Sequence, residues 1–271
     1  MNSRIANFQQ SAVGGQKEKF VRSKEWIKSF CRARENAERW IRYRRNTGYN
    51  YRHQTAFFER LVELSDLRPG CKVLDLCCGE GSLLRMLLDS HPDIKFDTYG
   101  IDISEWFLQE IVRTSPGVHV VQGDAFHLPF ADNAFDIVCE VSISGMFLPD
   151  VYGALNREVH RVLKPGGQYL ARHNNTTSLY QLIEQSKYDY LKVSYTRRSI
   201  ACQLLGNGFT IRRIVGDFLA PSWLFYRHQK TGWHLFLPEW AGLVLYWIDV
   251  RFLARLLPMF SASLIVDSRK A

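Results

Sequence analysis

A few acids and glycines at set distances carry the chemistry legible in this 271-residue chain. Asp75 lies within an apolar run, Val73-Leu74-Asp75-Leu76, that reads as a buried parallel strand. Cys77-Cys78-Gly79-Glu80-Gly81-Ser82 then turns into an apolar helical run, Leu83 to Leu88. A strand, a tight turn and a helix in that order aim free backbone N–H groups and the positive end of a helix dipole at one point, where a polar or anionic group is held. Glycine belongs there because a side chain would keep the ligand off the backbone. Asp102 closes a second apolar run, Tyr99–Ile103. A carboxylate at that strand end is placed to accept hydrogen bonds from a ribose diol. A dinucleotide fingerprint would also need a small residue at position 84, which is Leu84.

The elements that must position these groups follow from periodicity. An apolar face with Phe20, Ile27, Phe30, Ala37, Trp40 and Ile41 predicts a helix from Lys17 to about Arg45, after a loosely ordered stretch over 1–16. Thr47-Gly48-Tyr49 breaks it, and a second helix follows over about Gln54–Leu67. Beyond Asp102 the pattern predicts a helix over Ser104–Thr114 with Ser104 as its N-cap, and strands at Val118–Gln122 and Phe135–Val141. Val151, Leu155, Val159 and Leu163 form one helical stripe that Lys164-Pro165-Gly166-Gly167 stops. Then come a strand at Gln168–His173, a helix over about Leu179–Leu205, a strand at Phe209–Phe218, an aromatic helical insertion over 222–258, and a last strand at Ser263–Ser268. Regular alternation implies an α/β domain with a mostly parallel sheet and ligands at its carboxyl edge. The chain divides into a basic helical extension, 1–53, and a main domain, 54–271.

The net charge of +8 is concentrated at the front: residues 1–60 hold 14 Lys and Arg against 5 Glu. That run is either a solvated basic helix or a contact for anionic lipid head groups or a phosphate-bearing acceptor. The six cysteines show no CxxC pair, the histidines are scattered, and no secretory signal follows Met1. These features predict a reducing cytoplasmic setting and no bound metal. No uncharged run is long enough to predict a membrane span.

Four blocks give the chain a family likeness: VLDLCCGEGSLL (Val73–Leu84), YGIDIS (Tyr99–Ser104), GDAFHLPFADNAFDIV (Gly123–Val138) and REVHRVLKPGG (Arg157–Gly167). The chain resembles class I S-adenosylmethionine-dependent methyltransferases of the small-molecule and lipid-acting branch. The resemblance implies a Rossmann-like, doubly wound, seven-stranded sheet with its last strand antiparallel. It implies S-adenosylmethionine across the carboxyl ends of the first strands. On the matching positions, Asp75 would orient the glycine loop and the cofactor's amino group, and Gly79 and Gly81 would admit the methionine part. Asp102 would take both ribose hydroxyls and Ile103 would pack on adenine. Asp124 would accept from the adenine amino group while Ala125 donates its N–H to the ring. The Glu140 carbonyl would meet the cofactor ammonium. Cys77 stands where the family usually has glycine, as in the CCG turn of some quinone methyltransferases. Asp136 reads as a loop-capping carboxylate.

Methyl transfer from a sulfonium is an in-line displacement, so the protein mainly aligns the acceptor and excludes water. A base is needed only if the acceptor loses a proton. His173 and the Glu140 side chain are the candidates for that role, with Ser142, Ser144, Asn174 and Tyr195 nearby in the predicted order. Tyr49, Tyr51, Arg52 and His53 are placed either to close over the cofactor or to pack a turn. The insertion, with Trp240, Leu243, Val244, Trp247, Ile248, Phe252 and Leu256, reads either as a packed lid or as an apolar acceptor tunnel or interfacial anchor. The acceptor expected is thus small and apolar or lipid-linked, with peripheral contact to anionic membrane. The basic front prompts an RNA-modifying alternative, but no Asn/Asp-Pro-Pro-aromatic tetrad follows the fourth strand and no RNA-binding module is appended. A non-catalytic binding fold is the remaining alternative, against which the retained glycines and acids argue.

Overall fold

The computed structural model describes residues 24–46, 50–141, 143–178, 193–219 and 239–271. Its centre is a seven-stranded sheet in the order β3-β2-β1-β4-β5-β7-β6. The strands are β1 (Lys72–Leu76), β2 (Asp97–Asp102), β3 (His119–Gln122), β4 (Phe135–Val141), β5 (Leu163–Asn174), β6 (Phe209–Gly216) and β7 (Ser263–Lys270). β1 to β5 pair in parallel, and β7 runs antiparallel to both β5 and β6, as expected for the methyltransferase-like sheet.

Alternate residues of the central strands serve opposite faces, which is why these strands read as continuous apolar runs. Val73, Ile137, Cys139 and Leu170 face one core with helices α3 (Asn50–Leu64) and α4 (Ser82–Ser90). Leu74, Leu76, Val138, Tyr169 and Ala171 face the other, with α6 (Pro149–Val162) and α7 (Arg197–Gly206). Helix α5 (Glu105–Thr114) packs Leu108 and Ile111 on Cys78 and Leu84. Ahead of α3 come α1 (Lys24–Arg32) and α2 (Arg34–Asn46). Before β7 lies α8 (Glu239–Ile248), continued by a π-helical turn over Asp249–Leu253 and a short turn to Leu256. Among the described residues no helix is long and apolar enough to cross a membrane.

The helix expected over Gln54–Leu67 is Asn50–Leu64 and the last strand runs on to Lys270; four further boundaries differ from the periodicity for a local reason. The single N-terminal helix is two helices with a break at Ala33, where the Asn36 side-chain amide takes the Phe30 carbonyl of α1's last turn at 2.9 Å. Leu163 belongs to β5 rather than to the α6 stripe. Pairing slips between Phe135↔Leu163 and Ile137↔Gln168, so Lys164-Pro165-Gly166 forms a bulge, with Gly166 at φ +70°. The described part of the Leu179–Leu205 helix starts only at Arg197, where Thr196 and Ser199 form a reciprocal cap. β6 ends at Gly216, because the Asp217 carboxylate turns to bind Phe218 N and Ser263 N. Residues 1–23, 47–49, 179–192 and 220–238 lie outside the described residues, and with them the expectations placed on Phe20, Tyr49 and the start of the insertion.

Candidate functional site

The carboxyl ends of β1, β2 and β4 converge on a glycine turn held by one carboxylate. Asp102, 7% exposed, accepts Gly79 N at 2.9 Å through Oδ2 and Ser104 N at 2.8 Å through Oδ1. The group that fixes the glycine loop is therefore Asp102, whereas the family likeness gave that task to Asp75. Gly79 and Gly81 have φ of +54° and +76°, where only glycine sits without strain. At Gly81 space matters too: a Cβ would lie 2.9 Å from Ile111. Cys77 takes φ +56° itself. A cysteine there costs roughly 1–2 kcal/mol in backbone strain. Its half-buried side chain packs against the larger core.

Asp75 is buried at the middle of β1, level with Gly100 and Cys139. Burial pushes its carboxyl well above the usual range, and the Asp102 and Glu140 charges push it further. Burial raises Asp102 as well, against the pull of the Ser104 and Gly79 amides. Three acids, Asp75, Asp102 and Glu140, all raised by burial and Asp75 further by the charges of the other two, form a place where a cation is favoured. No cluster with the layout of a metal site occurs among the described residues.

The adenine-side expectations fall on β3's loop. Ile103, half-buried, accepts at its carbonyl from Gln122 Nε2 at 3.3 Å, and Ala125 is buried in the main core. Asp124 accepts Phe126 N at 3.1 Å through Oδ1, and its Oδ2 is paired with the Lys28 ammonium of α1. Lys28 was missed, since nothing in its neighbours distinguishes it from thirteen other early cations. This loop is pinned from beneath: Glu158 Oε2 accepts Leu128 N at 2.8 Å, while Arg161 donates to Phe130 O at 2.8 Å and Leu128 O at 2.9 Å. The LPF block and the RVLKPGG block, far apart in sequence, are one structural unit joined by Glu158 and Arg161.

On the acceptor side, Glu140 is fully buried. Its Oε1 accepts Ile143 N at 2.5 Å and Ser144 N at 3.2 Å, and its Oε2 accepts the Tyr152 hydroxyl at 3.1 Å. Tyr152 in turn bonds Tyr169 at 3.0 Å. Burial pushes Glu140 up to about 7 despite these donors. His173 at the end of β5 is also fully buried; its Nδ1 lies 2.9 Å from Ser144 Oγ, and its Nε2 has no partner among the described residues. Burial, with the Arg172 charge beside it, brings His173 down to about 3, so the imidazole is neutral. The Tyr195 ring sits 5.5 Å from it, with a buried hydroxyl likewise without a partner. Asn174 donates to Val193 O at 3.1 Å. Gly145 has to be glycine, as a Cβ would meet the Asn174 amide at 2.3 Å.

Other expected residues stand apart. Asp136 is at the amino end of β4, where it accepts Lys72 N at 3.0 Å and pairs with Arg68 and Lys164, as its loop-capping reading requires. Ser104 is the N-cap residue of α5, yet its hydroxyl makes no capping bond. Ser142 and Tyr49 lie outside the described residues, as do the side chains of Tyr51, Arg52, His53, Trp240 and Leu243.

With this geometry in place, comparison with known proteins is consistent. Residues 73–167 match the family described as Methyltransferase domain. Over 139 residues the chain is 33% identical to demethylmenaquinone methyltransferase of Staphylococcus aureus, covering 50% of this chain and 56% of that protein. The chain thus spans little more than half the length of the curated relatives it matches. A chain in the complex between the Haloferax volcanii Trm112 methyltransferase activator and a methyltransferase superposes with a TM-score of 0.63 at 17% identity, covering 88% of this chain and 99% of that one. Geranyl diphosphate C-methyltransferase of Streptomyces coelicolor, solved with S-adenosyl-L-homocysteine, superposes at 0.56 with 17% identity, covering 82% and 80%. Residues 73–167 thus match a methyltransferase domain, and the sheet around them has the fold of known methyltransferases.

Proposed function

We propose that this chain transfers a methyl group from S-adenosylmethionine to a small apolar or lipid-linked acceptor by direct displacement. The observation that carries the reading is the glycine turn held by Asp102 beside two further buried acids, Asp75 and Glu140, which suits a ligand bearing a ribose and positive charge. Asp75, Cys77, Gly79 and Gly81 would form the methionine side, Asp102 and Ile103 the ribose and adenine face, and Asp124 and Ala125 the adenine edge. The Glu140 carbonyl would take the ammonium. Once bound, the cofactor supplies an electrophilic methyl group on a cationic sulfur. The chain's part is alignment and exclusion of water. Neutral His173 fits a hydrogen-bond partner for the acceptor better than a proton store, and the Glu140 side chain is committed to Ile143, Ser144 and Tyr152.

Calorimetric titration with S-adenosylmethionine and S-adenosylhomocysteine tests the reading. Micromolar binding is expected, weakened about thirtyfold in Asp102→Ala, which loses the ribose acceptor and frees the Gly79 loop. Well-folded protein that binds neither compound would sink the proposal.

The apolar nature of the acceptor is supported by the S. aureus relative's name, demethylmenaquinone methyltransferase, and by the surface of α8 and the turns that follow it. Nine of the eleven exposed large apolar side chains among the described residues fall between Val244 and Phe260, including Trp247, Phe252 and Leu256. This stretch is tied to the end of β5, since Asn175 donates to Met259 O at 2.9 Å and Ser261 O at 2.7 Å. An apolar patch at the catalytic edge, on a chain of net charge +8, suits an anionic bilayer surface. Co-sedimentation with phosphatidylglycerol vesicles should show binding that Leu256→Glu with Phe252→Glu weakens about tenfold. Equal pelleting of parent and variant would remove this patch from the account.

A further inference from the structure

Helix α1 crosses the same carboxyl edge and is built into it. Ile27 is 3% exposed within the core that holds Leu76, Ile101 and Ala125, and Cys31 packs on that core too. Immediately after Ile27 in the helix, the Lys28 ammonium donates to Asp124 Oδ2 and lies 5.7 Å from the centre of the Phe126 ring. Both side chains of the pair are only 23% exposed. Burial pushes the Asp124 carboxyl up, but the Lys28 hydrogen bond, Phe126 N–H and His127 together hold it below the usual range. The following helix is fixed separately: the Arg34 guanidinium lies 4.5 Å from the Trp106 ring of α5. The break at Ala33 therefore separates a tethered α2 from an α1 whose one charged tie to the sheet's carboxyl edge, among the described contacts, is made to Asp124.

We propose that Lys28 is a latch: its ion pair with Asp124 holds α1 closed over the carboxyl edge of the free protein, and the pair is surrendered when the cofactor's adenine amino group takes the same carboxylate oxygen. The inference rests on the reading of Asp124 as the adenine acceptor. An ammonium and an amino group are both donors; Phe126 N engages Oδ1, and Oδ2 already faces both Lys28 and, at 3.5 Å, His127 Nδ1, so an amino group reaching Oδ2 meets an oxygen whose acceptor sites are taken. A residue that must be displaced lowers the apparent affinity by the population of the closed state, and salt that screens the pair restores it.

Lys28→Met keeps the aliphatic stem against Phe126 and removes the charge. In the full-length chain, calorimetry with S-adenosylhomocysteine should show about fivefold tighter binding by the variant, the scale of a partly buried ion pair. The parent's affinity should rise between low and moderate ionic strength, and the variant's should not. Amide hydrogen exchange over Lys24–Arg32 should be faster in the free variant than in the free parent. Unchanged affinity would overturn the latch, and weaker binding would make Lys28 a cofactor contact instead. A parent that binds no S-adenosylhomocysteine sinks the cofactor reading itself, whereas a parent that binds equally well with and without Lys28 sinks only the latch.

Discussion

Asp217→Ala is expected to destabilise the fold by about 3–5 kcal/mol, the range for breaking a buried, hydrogen-bonded ion pair. Asp217 is 1% exposed just past β6. Its Oδ2 accepts Arg172 Nε at 3.1 Å and Nη2 at 3.0 Å, and its Oδ1 accepts Phe218 N at 2.8 Å and Ser263 N at 2.9 Å. One carboxylate thus joins the end of β6, the start of β7 and the residue preceding His173 on β5. Arg172 also lies 4.3 Å over the Phe57 ring, carrying the tie on to α3. Urea unfolding should show the loss as a lower midpoint. Asp217→Asn, which keeps an oxygen for the two amides but lowers the charge, should lose about half as much. An alanine variant within about 1 kcal/mol of the parent would mean that the carboxylate is not what pins this corner.

What could be read in the chain and what could not divide along a physical line. Val73–Leu76 and Phe135–Val141 were legible as buried strands because both faces of a parallel strand are apolar, a signal confined to a few consecutive residues. Gly79, Gly81 and Asp102 were legible because a turn, a strand end and their spacing are set locally. The partners were not. The pairing of Lys28 with Asp124 spans 96 residues, and that of Asp217 with Arg172 spans 45; no periodicity links such positions. The position of Glu140 near the end of the fourth strand was legible, but its side chain's commitment to the 143–146 turn and to Tyr152 depends on where α6 packs. The same holds for His173: sequence located it at a strand end, whereas its neutrality comes from complete burial, a tertiary property. The break at Ala33 and the late start of α7 escaped the periodicity because side-chain caps, Asn36 and Thr196, overrode an apolar pattern that ran on past them.

Glu140→Gln is expected to change how stability depends on pH. In the folded chain burial pushes the Glu140 carboxyl up to about 7, against an ordinary value of 4.5. Between those values the folded state holds a proton that the unfolded chain has released, so stability falls as pH rises through this window and levels off above about 7. The difference amounts to about 3 kcal/mol, present in full below pH 4.5 and lost by pH 7. Glutamine does not titrate, keeps an oxygen for Ile143 N and Ser144 N, and offers its amide to the Tyr152 oxygen. Relative to the parent, the variant should therefore gain about 3 kcal/mol between pH 4.5 and 7.5, read from urea midpoints at each pH. A difference that does not vary with pH would show that Glu140 ionises normally in the folded protein. The consequence reaches the cofactor reading. Burial raises the carboxyls of Asp75, Asp102 and Glu140, Glu140 to about 7, and a cation bound among them favours their ionised forms. Near pH 7 the parent should then release protons on binding S-adenosylmethionine, seen as a dependence of the calorimetric heat on buffer ionisation enthalpy, and Glu140→Gln should release fewer. Such a site stores in the free protein the charge balance that the cationic cofactor completes.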